Sequence, residues 1–369
     1  MDKLIYLTYQ TFPSEKANTI QTIDNLNYLS EYFDIELIFP LRERNSTDDI
    51  QVLKNHYSKI PNIKISGKVH NLPFGKIKIF EKYLFTISHY FWARAETKNI
   101  SLRDSQYIFT RSDWVFYFLS KSDVKVVFEC HQLSKTRKWV MKKAIENSGS
   151  KVIFLNKQLL ADSSLDNIKY QNKTTVMHNG VDSLLFSFEK TANNKEVVFA
   201  GALKRFNEDR NIKFLIKCFQ NKQLKEYKLI VLGGTKKEVI ELNAYIKKLK
   251  IINVELLGRV SRVEMANYLK NSEIGLLINS GNNDHSLKYT SPLKYFEYLY
   301  SGLKVVAVDF PSHRSLPFSK RINFFKENDS ISFIESIKKA SVMDSVKIRE
   351  LEDITLEKRA KKIYLFMTK

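Results

Sequence analysis

Y-T-S-P-L-K-Y-F-E-Y-L-Y-S-G-L-K-V-V-A-V-D, residues 289–309, reads as a helix start, a helix, a stop and a buried strand. Ser291 is the expected N-cap, and Pro292 suits the first helical position, where its missing N–H costs nothing. Leu293, Phe296 and Tyr300 recur at i, i+3 and i+7 and mark one buried stripe. Gly302 ends the helix by allowing a left-handed backbone. Val305 to Val308 form a short apolar run, as a strand covered on both faces requires. Lys294 breaks the local rule, because a cation in the first turn opposes the helix dipole. Free amides and an ammonium together make a place for an anion such as a phosphate. Glu297 lies one turn on, away from the apolar stripe, where a carboxylate accepts hydrogen bonds from vicinal hydroxyls. The plain alternative is an exposed Lys294–Glu297 pair, contributing about 0.2–0.5 kcal/mol.

Ahead of this stretch the pattern alternates strand and helix. Strands are expected at Val197–Ala200, Leu229–Leu232, Val254–Leu257 and Ile274–Ile278, with a helix at Ile212–Phe219. The loop after Gly201 carries Lys204, Arg205 and Arg210, cations that suit a diphosphate or simply a solvated loop. Glu208 and Asp209 share the loop and can pair with them.

The first half has the same grammar. Leu4–Thr8 is a strand, Ile20 to Leu29 a helix and Ile35–Phe39 a second strand, the opening of a doubly wound α/β domain. The first loop has no G-x-G-x-x-G, so a dinucleotide fingerprint is absent; Ala17 and Asn18 are small enough to let a ligand approach the helix start. Residues 42–62 read as polar and loop-rich. Residues 77–95 combine aromatics and cations at helical spacing, which suits a core helix better than a membrane-interface helix. Further strands at 107–110, 126–130, 152–155 and 175–177 place Arg111 and His131 at strand ends, where α/β domains put their chemistry. His131 is either a contact for a sugar hydroxyl or a structural histidine.

The pattern restarts near residue 185. Two α/β domains are therefore expected, 1–185 and 186–353, facing each other across a cleft. A basic amphipathic helix at about 354–369 either binds membrane or returns to brace the first domain.

The chain has 369 residues, long for one core. Its hydrophobic share of 43% argues against disorder. Two cysteines give neither a disulfide framework nor metal-ligand spacing, and fit a reducing cytoplasm. The N-terminus reads as a first strand and not a signal peptide, and no run of 18 apolar residues is present. Sixty basic against 40 acidic residues give a net charge of +20, suited to anionic small substrates, an anionic membrane or nucleic acid, unless the excess is compositional bias. Nucleic-acid signatures are missing, so that partner is not expected.

Five pieces stand in one order: H-N-G-V-D at 178–182 with Phe186 after it, F-A-G-A-L at 199–203, V-L-G-G at 231–234, L-L-G-R-V at 256–260, and 291–307. Together, with T-R-S at 110–112 and His131 as weaker matches, they resemble the retaining GT-B glycosyltransferases of family four, the group 1 glycosyltransferases. The resemblance implies two Rossmann-like domains and sugar transfer from a nucleotide diphosphate sugar, with no cofactor and no metal. It implies a donor site of Ala17, Asn18, Gly201, Lys204, Arg205, Arg210, Gly234, Arg259, Ser291, Pro292, Leu293, Lys294 and Glu297. His131, Arg210 and Glu297 stand as catalytic candidates, with Glu297 on the donor ribose and the cations on the diphosphate. The acceptor implied is a growing, lipid-linked, bacterial-type surface glycan. The location implied is cytoplasmic, at the inner face of the cytoplasmic membrane. Two positions depart from the family: Tyr289 stands where many members have a glutamate, and Ala202 where an arginine is usual. Asp284 and His285 are nearby substitutes for the missing sugar contact. A nucleotide-sugar epimerase and a non-catalytic sugar-binding subunit are the competing readings.

Overall fold

Runs of buried apolar residues on both strand faces dictate parallel sheets in which each strand is followed by a covering helix. The computed structural model describes residues 1–57, 60–70, 81–100, 107–186, 194–205 and 208–369, the side chains of 81, 82 and 205 excepted. It divides into two units, Met1–Met177 with Leu356–Lys369, and His178–Thr355.

The first unit contains β1 (Asp2–Leu7), α1 (Ala17–Leu29), β2 (Phe33–Leu41), α2 (Ile50–Tyr57), β3 (Lys64–Val69), α3 (Glu81–Ile100), β4 (Tyr107–Thr110), α4 (Asp113–Leu119), β5 (Lys125–Cys130), α5 (Lys135–Ala144), β6 (Ser150–Phe154), α6 (Lys157–Asp162) and β7 (Thr174–Val176). Its sheet runs β3-β2-β1-β4-β5-β6-β7, all parallel. The second unit contains β8 (Glu196–Ala200), a ribbon of β9 (Lys204–Arg205) and β10 (Glu208–Asp209), α7 (Ile212–Cys218), β11 (Lys228–Leu232), α8 (Lys236–Lys248), β12 (Val254–Gly258), α9 (Arg262–Asn271), β13 (Ile274–Leu277), α10 (Leu293–Tyr300), β14 (Lys304–Val308), α11 (Pro311–Arg314), β15 (Ile322–Phe325) and α12 (Ser330–Ser341). Its parallel sheet runs β12-β11-β8-β13-β14-β15. The doubly wound α/β class expected for both halves is what the two sheets form.

The last helix, α13 (Leu356–Thr368), belongs to the first unit. Leu356, Ala360, Ile363 and Met367 form its buried stripe and join the cluster that holds Ile23, Leu26 and Leu29 of α1. The boundary falls at Met177/His178, ahead of the 185/186 restart. His178 to Asp182 is tied into the second unit: Asn179 bonds to Ser291, and the Val181 N–H donates to the Ile354 carbonyl.

Several local expectations change. Residues 42–62 are not merely loop, since α2 lies there. Residues 77–80 lie outside the described residues. Residues 81–95 belong to α3, which buries Trp92 and Ala93 but exposes Tyr83, Ile87 and Phe91, so the helix is core on one face alone. Helix α10 starts at Leu293, with Pro292 in the capping position and no side-chain cap. Pro292 keeps a helix-compatible φ of −71° but takes an extended ψ of 126°, so the first helical residue is Leu293. The Ser291 hydroxyl, in addition, is occupied by the Asn179 N–H at 3.2 Å. The single stripe expected on α10 is also wrong: Lys294 through Leu299 are all buried. Gly302 does take the left-handed conformation, with φ of 76°.

Candidate active site

A doubly wound sheet opens a crevice at the carboxyl ends of its strands, where strand order reverses. In the second unit the reversal lies between β8 and β13. The loop after β8 opens with Gly201, whose N–H donates to the Leu232 carbonyl at 2.8 Å. Gly233 packs so closely that a Cβ there would come within 2.0 Å of the Gly201 carbonyl oxygen, so only glycine fits. Arg210 crosses the crevice. Its Nε–H donates to Asn279 Oδ1 at 3.3 Å, beyond the end of β13, and its Nη1 to the Ala202 carbonyl at 3.3 Å.

Lys294 reaches the same edge from α10. Its Nζ lies 3.9 Å from the centroid of the Phe199 ring, at the end of β8. A desolvated contact of this kind contributes about 2 kcal/mol, which offsets part of the cost of burying the ammonium. A Cβ placed on Gly201 would be 3.6 Å from Lys294 Nζ and 3.7 Å from Arg210 Nη1. Two cations thus border one side-chain-free position. Their field reaches His313, whose pKa is pushed down to about 4. Burial is the chief cause; its bond to the Val308 carbonyl works the other way, and the Lys294 and Arg210 charges add to the lowering.

Glu297, one turn along α10, is 8% exposed, and Lys294 9%. The exposed-pair alternative therefore fails. Ser291 and Pro292 lead into this helix, and the Ser291 carbonyl accepts from Asn179 Nδ2 at 2.5 Å. Pro292 offers no side-chain oxygen to the first amides of α10. Tyr298 fastens the helix to β8, its hydroxyl accepting the Ala200 N–H at 2.9 Å.

Other candidates are more scattered. Lys204 is exposed on the β9–β10 ribbon, and the Arg205 side chain lies outside the described residues. Gly234 has a positive φ of 92° after β11. Arg259 is exposed after β12, two strands from β8. Tyr289 is buried, closing a π-helical turn at His285–Tyr289. Asp284 pairs with Lys288 at 3.1 Å on the surface.

The first unit reverses strand order between β1 and β4. Ala17 is exposed at the start of α1, and the Asn18 carbonyl accepts from Arg111 Nη1 at 3.1 Å. Arg111 Nη2 donates to His131 Nδ1 at 2.8 Å, and His131 Nε2 faces Glu129 Oε2 at 2.8 Å. The imidazole is therefore the Nε2–H tautomer, engaged at both nitrogens. Burial first, and the Arg111 charge next, lower its pKa to about 4. The other Glu129 oxygen receives Arg359 of α13, which also donates to Asn25 Oδ1 at 2.8 Å. Burial alone would raise the Glu129 pKa; the Arg359 charge, then the hydrogen bond from His131 and the Arg111 charge, hold it well below the ordinary value.

Reading residues in order missed Asn179, Asn279, Glu129, Asn25 and Arg359. The signal for Glu129 was a carboxylate inside the apolar run V-V-F-E-C. Among the described residues no group of three or more His, Cys, Asp or Glu is placed to hold a metal ion.

Residues 185–349 match the family described as glycosyl transferases group 1. No curated protein matches the chain by sequence. Similar solved structures include a glycosyltransferase from Rickettsia africae ESF-5, at 13% identity over 100% of each chain with a TM-score of 0.70. Sucrose-phosphate synthase from Thermosynechococcus elongatus is similar at 15% identity over 99% of this chain and 94% of that one, with a TM-score of 0.67. The lipopolysaccharide outer core galactosyltransferase WaaB is similar at 13% identity over 100% of each chain, also with 0.67. The fold is thus the GT-B fold shared with these glycosyltransferases, and residues 185–349 carry the match to the group 1 glycosyl transferases.

Proposed function

We propose that the protein moves a sugar, with retention of configuration, from a nucleotide diphosphate sugar to a growing, lipid-linked surface glycan. The observation that supports this most is the meeting of Lys294 and Arg210 beside Gly201 at the strand-order reversal of the second unit. Fixed cations in a partly desolvated crevice act where charge develops, on the departing diphosphate. The first amides of α10 add their dipole to the same charge. Glu297, buried on α10, holds the donor's ribose hydroxyls. Lys204, Arg205, Gly234 and Arg259 complete the donor site, and Ala17 and Asn18 line the ligand side of the first unit.

His131 enters this reading as a neutral group and not as a general base, since both nitrogens are already bonded. Its Nδ1 becomes available to a substrate hydroxyl when Arg111 turns to an anionic ligand. The departing phosphate oxygen takes the acceptor's proton.

The test is incubation with a panel of nucleotide sugars and lipid-linked glycan acceptors. Nucleoside diphosphate should appear only when donor and acceptor are both present, and Lys294→Met should cut its release on the order of 10²–10³-fold. Isomerised donor without acceptor would make the protein an epimerase. Donor binding with no bond cleavage would make it a binding subunit.

A further inference from the structure

We infer that Glu327 is a positioning residue for Arg210, tying the loop that carries this arginine to the loop that carries its acceptor. Glu327 starts far from both in the sheet. It follows β15 at the edge, whereas Arg210 follows β10 and Asn279 follows β13. One carboxylate oxygen joins the two loops. Glu327 Oε1 accepts the Asn211 Nδ2–H at 3.0 Å and the Gly281 N–H at 2.9 Å. Asn211 is the residue after Arg210, and Gly281 stands two residues beyond Asn279, which accepts the Arg210 Nε–H.

Each end of the tie is shaped for it. Asn211 holds the capping position of α7 in the left-handed conformation, with φ of 63°, yet makes no side-chain cap. Asparagine is one of the few side chains that tolerate this conformation. Asp209 caps the helix instead, accepting the Ile212 N–H at 3.0 Å, which leaves the Asn211 amide for Glu327. At Gly281 a Cβ would come within 2.6 Å of Glu327 Oε2. The carboxylate itself stands on a pinned turn. The Asp309 N–H donates to the Phe325 carbonyl at 2.8 Å, the Asp329 N–H to the Lys326 carbonyl at 3.1 Å, and the Lys326 N–H to Ser332 Oγ at 3.1 Å.

These contacts give Glu327 a geometric task and not an electrostatic one. Both of its donors are neutral and both meet the same oxygen. Arg210 reaches Asn279 Oδ1 and the Ala202 carbonyl at 3.3 Å each, long for N–H···O bonds, so its aim depends on how the loops bearing those acceptors are held. Misplacing a group at a reacting centre by about 1 Å costs on the order of 10²-fold in rate. The effect on sugar transfer rests on the donor reading proposed above; the aim of Arg210 does not.

The experiment follows the Arg210 Nε–H of the full chain by nitrogen-15 NMR, its signal assigned by its absence from Arg210→Gln. In Glu327→Ala this proton should exchange with solvent about tenfold faster than in the parent, as for the loss of one hydrogen bond. In Glu327→Gln, whose amide oxygen can accept the same two bonds, the rate should stay near that of the parent. Gly281→Ala keeps the carboxylate but crowds it aside, and should act like Glu327→Ala. Turnover should follow the proton: on the order of 10²-fold lower kcat in Glu327→Ala with KM little changed, recovery in Glu327→Gln, and no further loss when Glu327→Ala is added to Arg210→Gln. Unfolding curves establish that the variants are folded. If the Arg210 proton exchanges alike in the parent and in Glu327→Ala, the inference is overturned, whatever the chain transfers. It is also overturned if Glu327→Gln loses as much turnover as Glu327→Ala, or if the double variant multiplies the two losses, because the carboxylate then acts by its charge or on its own. Faster exchange in a chain that transfers sugar from no donor would remove the proposed function and leave the positioning of Arg210 in place.

Discussion

Each unit sends an arginine across its crevice, from opposite sides of the reversal, and uses it differently. Each sheet reverses strand order beside its first strand, and in each an arginine spans the reversal: Arg111 toward Asn18, and Arg210 toward Asn279. In the first unit the crevice supplies its own anion. Glu129 is 2% exposed and meets Arg359, His131 and Arg111. In the second unit Arg210 is held by an amide and a carbonyl oxygen, and Lys294 comes up beside it. The same topology therefore yields a self-neutralised brace in one half and a concentration of positive charge in the other. The second arrangement is the one assigned above to the donor's diphosphate.

The largest effect should come from breaking the brace. Glu129→Gln strands a buried guanidinium, and Arg359→Met strands a buried carboxylate; each should cost roughly 3–5 kcal/mol in urea unfolding. Removing both partners should recover much of the loss. Singles that unfold like the parent would show that the network is not a brace. Next, Lys294→Met and Arg210→Gln should each lower turnover on the order of 10²–10³-fold with unfolding midpoints kept. Full activity in either would dissolve the contrast between the crevices.

The third test is pH. His89, His131 and His313 are each pushed from 6.5 down to about 4, by burial first. Between those values the unfolded chain binds more protons, so stability is full above about 6.5 and falls as pH drops toward 4. The slope is up to about 1.4 kcal/mol per pH unit for each histidine. Glu129 behaves differently: its contribution is present above the ordinary carboxylate pKa and lost only as pH falls through its depressed folded value. Two of the histidines are in the first unit, so residue-resolved hydrogen exchange should show that unit loosening first on acidification. Uniform loosening would contradict it. A smaller effect is expected from Glu297→Gln, about tenfold or more on the donor KM. Smallest of all, Asp284→Asn should change stability by no more than about 0.5 kcal/mol and leave kinetics alone, its partner Lys288 being a surface contact. A large kinetic effect would restore Asp284 as a sugar contact.

The strands and their alternation with helices were legible because parallel strands need apolar runs on both faces. β3, K-I-S-G-K-V, escaped because it is an edge strand, half-buried, with no such run. The glycines and cations after β8 were legible as a loop, but not which cation would face which neighbour. Arg210 and Lys294 converge only because β8 and β13 are adjacent, and adjacency is a property of topology. The Glu129–Arg359 pair was invisible for the same reason, its members being 230 residues apart. Ser291 was misjudged because its hydroxyl had a better customer in Asn179, a residue from another motif.

The return of α13 to the first unit has a consequence for synthesis. Domains ordinarily fold as they emerge, N-terminal first. Here the first sheet leaves the ribosome long before Arg359 exists, so Glu129 waits, solvated or protonated, while the whole second unit is made. The N-terminal half can finish only after the C-terminal half has begun, and losing residues 356–369 would maim the end of the molecule farthest from the cut in sequence.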